Sequence, residues 1–147
     1  MLLKYSPQES ELLEGVAFYG RAGQAILKSL QRLQVDPLAV YGTNCLKYAG
    51  SEPDQRARDW LTRELHIVQP KLVVVMGEHV LEFLNTIEFP LSRPLEPADG
   101  KIQQFTPTVD ALVVPDVDAS LDEQPAKTAF WNAFKSLGDW WAALPPY

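Results

Sequence analysis

Residues 71–85 read KLVVVMGEHVLEFLN. The run from Leu72 to Met76 is apolar throughout, with three successive valines, the pattern of a strand covered on both faces. Gly77 ends it and opens a helix whose Val80, Leu81, Phe83 and Leu84 form one apolar face. Strand, glycine turn and helix in that order are the unit of an α/β protein. Working outward, SEPDQRARDWLTRELHIV (51–68) places Ser51 and Asp54 at capping-box spacing, with Pro53 in the first turn and Ala57, Trp60, Leu61 and Leu65 facing inward. GRAGQAILKSLQRLQV (20–35) predicts a helix of about four turns, its stripe made by Ile26, Leu27, Leu30 and Leu33, leading into a strand at 38–44. LLKY (2–5) is a short first strand, and DALVVP (110–115) a later one. A last helix from about Pro125 repeats Ala126, Phe130, Phe134, Leu137 and Trp141, and the GDWWAALPPY tail reads as the edge of a core closed by a Pro-Pro stop. Residues 86–109, with four prolines and the candidate strand KIQQF, form an irregular crossover. The expected fold is α/β, three layers (α/β/α) around a central four-stranded parallel sheet, in one domain over residues 1–147.

Composition narrows the function. No apolar run reaches the ~20 residues needed to cross a bilayer, and MLLKYSPQES has no export-signal pattern, so a cytoplasmic protein with no membrane partner is expected. One cysteine among 147 residues can form neither an internal disulfide nor a cysteine-rich metal site. A net charge of −6 argues against tight, indiscriminate binding to nucleic acid. The most basic stretch, 28–63 with Lys28, Arg32, Lys47, Arg56, Arg58 and Arg63, reads as solvated helix faces.

In open parallel sheets ligands sit beyond the carboxyl ends of the strands. That crevice would be lined by Tyr5–Glu11, Gly42–Lys47, Met76–Glu78 and Pro115–Leu121. Asn44, ending VYGTN, can donate and accept, and so either reads a flat polar ligand edge or makes the turn after the strand. His66 and His79 read as helix-surface or core-edge residues, His79 alone lying near the crevice.

GVAFYGRAGQAIL (15–27), VYGTNCLKY (40–48), WLTRELHIVQPKLVVVMGEHVLEFL (60–84), DGKIQQF and LVVPDVDASL resemble, in order and spacing, the uracil-DNA glycosylase superfamily, most nearly its bacterial and archaeal iron–sulphur branch. The resemblance implies a pocket for a flipped-out uracil. It assigns Phe18 to stacking on the base, Asn44 to reading its edge, and Gly20, Arg21 and Gly23 to an anion or phosphate. It also marks departures. Lys4, Tyr5, Ser6, Pro7 and Gln8 stand where the branch has a Gly-Glu-Ala-Pro-Gly motif, so Tyr5 replaces the acid. Asp118, Ala119 and Ser120 replace His-Pro-Ser, putting an aspartate where uracil leaves as an anion. His79 is the candidate replacement for that histidine. Tyr48 and Arg56 fall near cluster-ligand positions, so no iron–sulphur cluster, other metal or cofactor is expected. The loop LDEQPAK would bring Asp122 and Glu123 against DNA phosphate. Three functions fit: a degenerate glycosylase-like protein that binds a base, a nucleotide, DNA or a protein; an active glycosylase using Glu9, Glu11, Asp116 or Asp118; or an unrelated α/β interaction module.

Overall fold

The computed structural model describes residues 1–48 and 50–145. Its elements are β1 (Leu2–Lys4), α1 (Glu9–Glu14), α2 (Arg21–Arg32), β2 (Gly42–Asn44), α3 (Gln55–Val68), β3 (Leu72–Met76), α4 (Glu78–Asn85), β4 (Ile102–Thr106), β5 (Val109–Val114), α5 (Gln124–Phe134) and α6 (Ser136–Ala142). They build the expected α/β/α sandwich. The sheet order is β2-β1-β3-β5-β4, so it has five strands and not four. β1, β2, β3 and β5 are parallel, and the fifth strand, β4, is antiparallel to β5, with Ile102 opposite Leu112 and Gln103 opposite Ala111. It comes from the KIQQF segment. The three residues Thr106, Pro107 and Thr108 turn the chain tightly enough to form a hairpin, and Thr106 Oγ1 accepts from Thr108 N at 3.2 Å.

Side chains of β3 alternate between the two faces, as strand geometry requires. Val73 and Val75 pack with Ala57, Leu61 and Leu65 of α3 and Val80 and Leu84 of α4. Leu72, Val74 and Met76 pack on the other face with Ile26 and Leu30 of α2 and Phe130, Phe134 and Leu137 of α5 and α6.

Several local expectations are corrected. The strand at 38–44 shrinks to β2, because Asp36 Oδ1 accepts from Leu38 N at 2.9 Å and starts a 3-10 turn over Pro37–Ala39. Helix α3 is capped by Asp54, which accepts from Ala57 N at 3.0 Å, and not by Ser51. Pro53 disfavours helical backbone at Glu52 and so keeps the cap C-terminal to it. The sequence reading had no helix at α1, and the last helix is two, divided at Lys135. Leu27, counted on the buried stripe, is 43% exposed. Trp140 and Trp141 do edge the second core cluster, Trp140 Nε1 donating to Asp110 Oδ2 at 2.9 Å; Pro146 and Tyr147, at the end of the Pro-Pro stop, lie outside the described residues. Among the described residues no helix is long and apolar enough to cross a membrane.

Two positions on α3 test this packing. Leu61 is fully buried and Ile67 is 81% exposed. Urea denaturation should find Leu61→Ala destabilising by about 2–5 kcal/mol and Ile67→Ala changing stability by no more than about 0.5 kcal/mol.

Candidate functional site

Beyond the carboxyl ends of the strands the structure places an ionic cluster. Lys4 ends β1, directly across from Asn44 at the end of β2. Its side chain has no exposed surface. An ammonium removed from water needs partners, and Lys4 Nζ has two: Glu11 Oε2 at 2.6 Å and Asp118 Oδ2 at 2.8 Å. The same ammonium lies 5.4 Å from the centroid of the Phe18 ring, over its face.

Glu11 organises the surroundings. Oε2 also accepts from Gln8 N at 2.7 Å, the reach-back bond of the box that starts α1. Oε1 accepts from Phe18 N at 2.6 Å and meets Asn44 Nδ2 at 3.4 Å. Burial pushes the Glu11 carboxyl up. The Gln8 N–H, the Lys4 ammonium and the Phe18 N–H outweigh that and hold it below its ordinary value. Phe18, with φ of 63°, is held in the left-handed region. Two glycines make room for it. A Cβ on Gly23 would lie 1.8 Å from Phe18 O, and one on Gly42 would lie 2.7 Å from Phe18 Cδ2.

Phe18 and Asn44 are therefore joined through Glu11, but they line different cavities. The Phe18 ring borders an open groove of about 560 Å³, together with Gly20, Gly23, Ile26, Leu27 and Gly42. Asn44 borders a pocket of about 350 Å³ with Pro7, Glu11, Thr43, Lys47 and Tyr48. Asn44 Oδ1 is buried and accepts no hydrogen bond. Thr43, its neighbour, is structural: Thr43 Oγ1 donates to Glu64 Oε2 and accepts from Lys47 Nζ, both at 2.8 Å, while Lys47 also pairs with Glu64.

The other candidates scatter. Tyr5 packs against His79 instead, with ring centroids 5.2 Å apart and planes tilted by 36°. Its phenol is raised, first by burial and then by Cys45 and nearby glutamates. Asp116 is raised, first by burial and then by Asp118, against the attraction of Lys4 and His79; its Oδ1 accepts from Asp118 N at 3.1 Å. Glu9 is exposed on α1. Gly20 and Gly23 border the Phe18 groove, whereas Arg21 points to the opposite side of α2 and pairs with Asp122 at 2.7 Å in solvent. His66 stacks on Phe89 near Lys71, at the amino end of β3 and away from the crevice. The sequence reading passed over Lys4 and weighed Glu11 only as a stray carboxylate. The available signal was a lysine inside an otherwise apolar strand, which requires a buried counter-charge.

An iron–sulphur cluster does not fit these residues. Cys45 is fully buried in the first core cluster, and burial pushes its thiol up to about 12, the reverse of a ready thiolate ligand. Among the described residues no group of three or more His, Cys, Asp or Glu side chains is placed to hold a metal ion.

Removing one member of the cluster strands the others. Lys4→Met should destabilise the fold by about 3–5 kcal/mol, and adding Glu11→Gln should recover part of the loss. Because folding lowers the Glu11 carboxyl, its stabilisation is complete above the ordinary value of 4.5 and is lost as pH falls through the lower folded-state value. Urea denaturation across that acid range should show a steeper loss of stability in the wild type than in Glu11→Gln.

Comparison with known proteins agrees with this architecture. A family model described as the uracil DNA glycosylase superfamily matches residues 1–137. A type-4 uracil-DNA glycosylase of Archaeoglobus fulgidus is 23% identical over 144 residues, covering 91% of this chain and 72% of the relative. With five strands in this order and a family match over nearly its whole length, the chain belongs to the uracil-DNA glycosylase superfamily.

Proposed function

We propose that this chain is a uracil-DNA glycosylase-like protein that no longer cleaves the glycosidic bond and works by binding. The observation that carries this reading is the buried ammonium of Lys4, which lies over the face of Phe18 and is clasped by Glu11 and Asp118. In the motif comparison above, Lys4 stands at the first glycine of the resembled motif, so the position carries a side chain where the branch has none. A base stacking on the face of Phe18 turned toward Lys4 would have to displace it. Stacking on an aromatic ring contributes about 1–3 kcal/mol per base, whereas uncoupling a buried ion pair costs about 3–5 kcal/mol. The lysine holds that face of the ring.

The chemistry points the same way. Cleavage through a cation-like sugar with an anionic leaving base wants a carboxylate at one end and a hydrogen-bond donor at the other. Tyr5 occupies the first position and packs against His79. Asp118 occupies the second and is an acceptor committed to Lys4. A binding role keeps one support in Asn44, which borders a pocket shared with Lys47 and Tyr48 and whose buried Oδ1 has no hydrogen-bond partner. Turned toward that pocket by a side-chain rotation, the acceptor would suit the N–H of a base or nucleotide held there.

Incubation of excess protein with single-stranded or mismatched uracil-containing DNA should release no uracil. Release that disappears in Asn44→Ala would overturn the proposal. Uracil, or a short abasic oligonucleotide, should raise the melting temperature of the wild type more than that of Asn44→Ala.

A further inference from the structure

The sheet ends at β2, and this edge is open. Leu2 N donates to Tyr41 O at 2.7 Å and Cys45 N to Lys4 O at 2.8 Å, so the Tyr41 C=O and the Cys45 N–H turn toward β1. Along a strand the backbone groups of successive residues alternate in direction. The N–H and C=O of Gly42 therefore turn outward, where no further strand lies. Among the described residues neither group has a backbone partner. An uncovered edge is a template for another chain, and proteins that do not use one blunt it with lysine, proline or inward-pointing charge. Residues 38–44 contain none of these.

The surface beside this edge is apolar. Among the described residues ten large apolar side chains are exposed, and eight of them fall within residues 12–48, which build this end of the sheet. They adjoin one another. Val16, Tyr19 and Leu27 border the open groove beside Gly42, and Val40 joins that groove to a second one that holds Tyr41. Leu38, 93% exposed, is in the turn whose Pro37 borders the first groove and whose Ala39 borders the second. A contiguous apolar surface marks an interaction site, whereas scattered apolar residues need no explanation.

Charge decides what fits it. Residues 12–20 and 36–44 hold two charged side chains, Glu14 and Asp36, and no cation. Asp36 is turned back onto Leu38 N at 2.9 Å. Helix α2 brings Gln24 and Leu27 to the groove, whereas its Lys28 borders the cleft with α5 and its Arg32 lies over Trp131. Without cations the strip offers nothing to a phosphate backbone, and few charges with several tyrosines is the composition of a protein interface core. Two copies each carrying −6 repel over most of their surfaces, so a nearly uncharged face is where they can meet. Most soluble oligomers join like faces about a two-fold axis, which needs a patch complementary to itself, as an uncharged apolar strip is.

We infer that the chain forms a homodimer through the β2 edge, two copies pairing antiparallel about Gly42. In that pairing the two Gly42 residues exchange both N–H···O bonds, the two sheets continue into one, and the apolar strips beside β2 cover each other. The inference does not rest on the proposed loss of base excision, because it uses no side chain of the Lys4 cluster.

The test follows the full chain by sedimentation equilibrium from low to high micromolar concentration. The wild type should move from the mass of one chain to that of two, and should still do so as salt rises, since no ion pair holds the interface. Leu38→Glu should weaken self-association about tenfold or more. Ile67→Glu, which adds the same charge at another exposed apolar position, on α3, should leave it unchanged. Both side chains are exposed, so the two variants should melt as the wild type does at concentrations where it is a monomer. Amide hydrogen exchange should show the Gly42 N–H gaining protection as the wild type dimerises, and not in Leu38→Glu at the same concentrations. A chain that stays a monomer throughout overturns the inference and leaves the strip to a different protein. It is also overturned if Ile67→Glu weakens association as much as Leu38→Glu does, or if Gly42 exchange is independent of concentration.

Discussion

A lysine ammonium with no access to water sets the terms for this end of the molecule. Its charge is tolerable only because two carboxylates reach it, one seven residues away on α1 and one 114 residues away in the turn after β5. The pairing ties the first strand, the first helix and the segment following the last strand into one unit. Glu11 then passes the constraint on, since its second oxygen holds the backbone N–H of Phe18 in a left-handed conformation and touches the amide of Asn44. Gly23 and Gly42 follow from that placement, because a side chain at either would collide with Phe18. These side chains form a chain of dependence that starts at Lys4.

Membership of the glycosylase superfamily makes the location of that cluster informative. The α/β/α scaffold delivers the ends of β1, β2, β3 and β5 to a common crevice, where the superfamily resemblance places its ligand. Here Lys4 and its two carboxylates occupy part of that crevice. The ring and the amide assigned to the base are both present and are joined through Glu11, yet they border separate cavities. Asp118 is neutralised by the lysine it helps to bury, so its charge is spent on the fold. An unrelated interaction module is no longer needed to explain the chain, whose scaffold and family match agree over most of its length.

The charge distribution has a comparable logic. A net charge of −6 describes the surface as a whole and conceals how the cations are used. Arg32 and Arg56 lie on tryptophan faces, Lys4 and Lys47 are taken up by glutamates inside the fold, and Arg21, Lys28 and Lys127 border the cleft between α2 and α5. Net charge governs non-specific encounter, while the local placement of cations governs any specific contact with an anion.

Much of the fold was legible because it rests on local patterns. The apolar run at 72–76 could only be a doubly covered strand, Gly77 and the spacing of Val80, Leu81 and Leu84 required a helix after it, and alternation of such units implied a parallel sheet in three layers. Asn44 was legible as a candidate because it ends a strand at the crevice, and Phe18 through the family resemblance. What the linear pattern could not supply depended on distance and competition. KIQQF was legible as a candidate strand, but that it joins the sheet as a fifth, antiparallel strand was decided by the partner that β5 offered it. The role of Lys4 was hidden because its counter-charges are a helix away and at the far end of the chain, and only folding brings them within hydrogen-bonding distance. Sequence determined which segments become strands and helices, through periodicity and turn chemistry. Tertiary structure decided what stands in the crevice, because a buried charge takes its meaning from neighbours that the order of residues does not reveal.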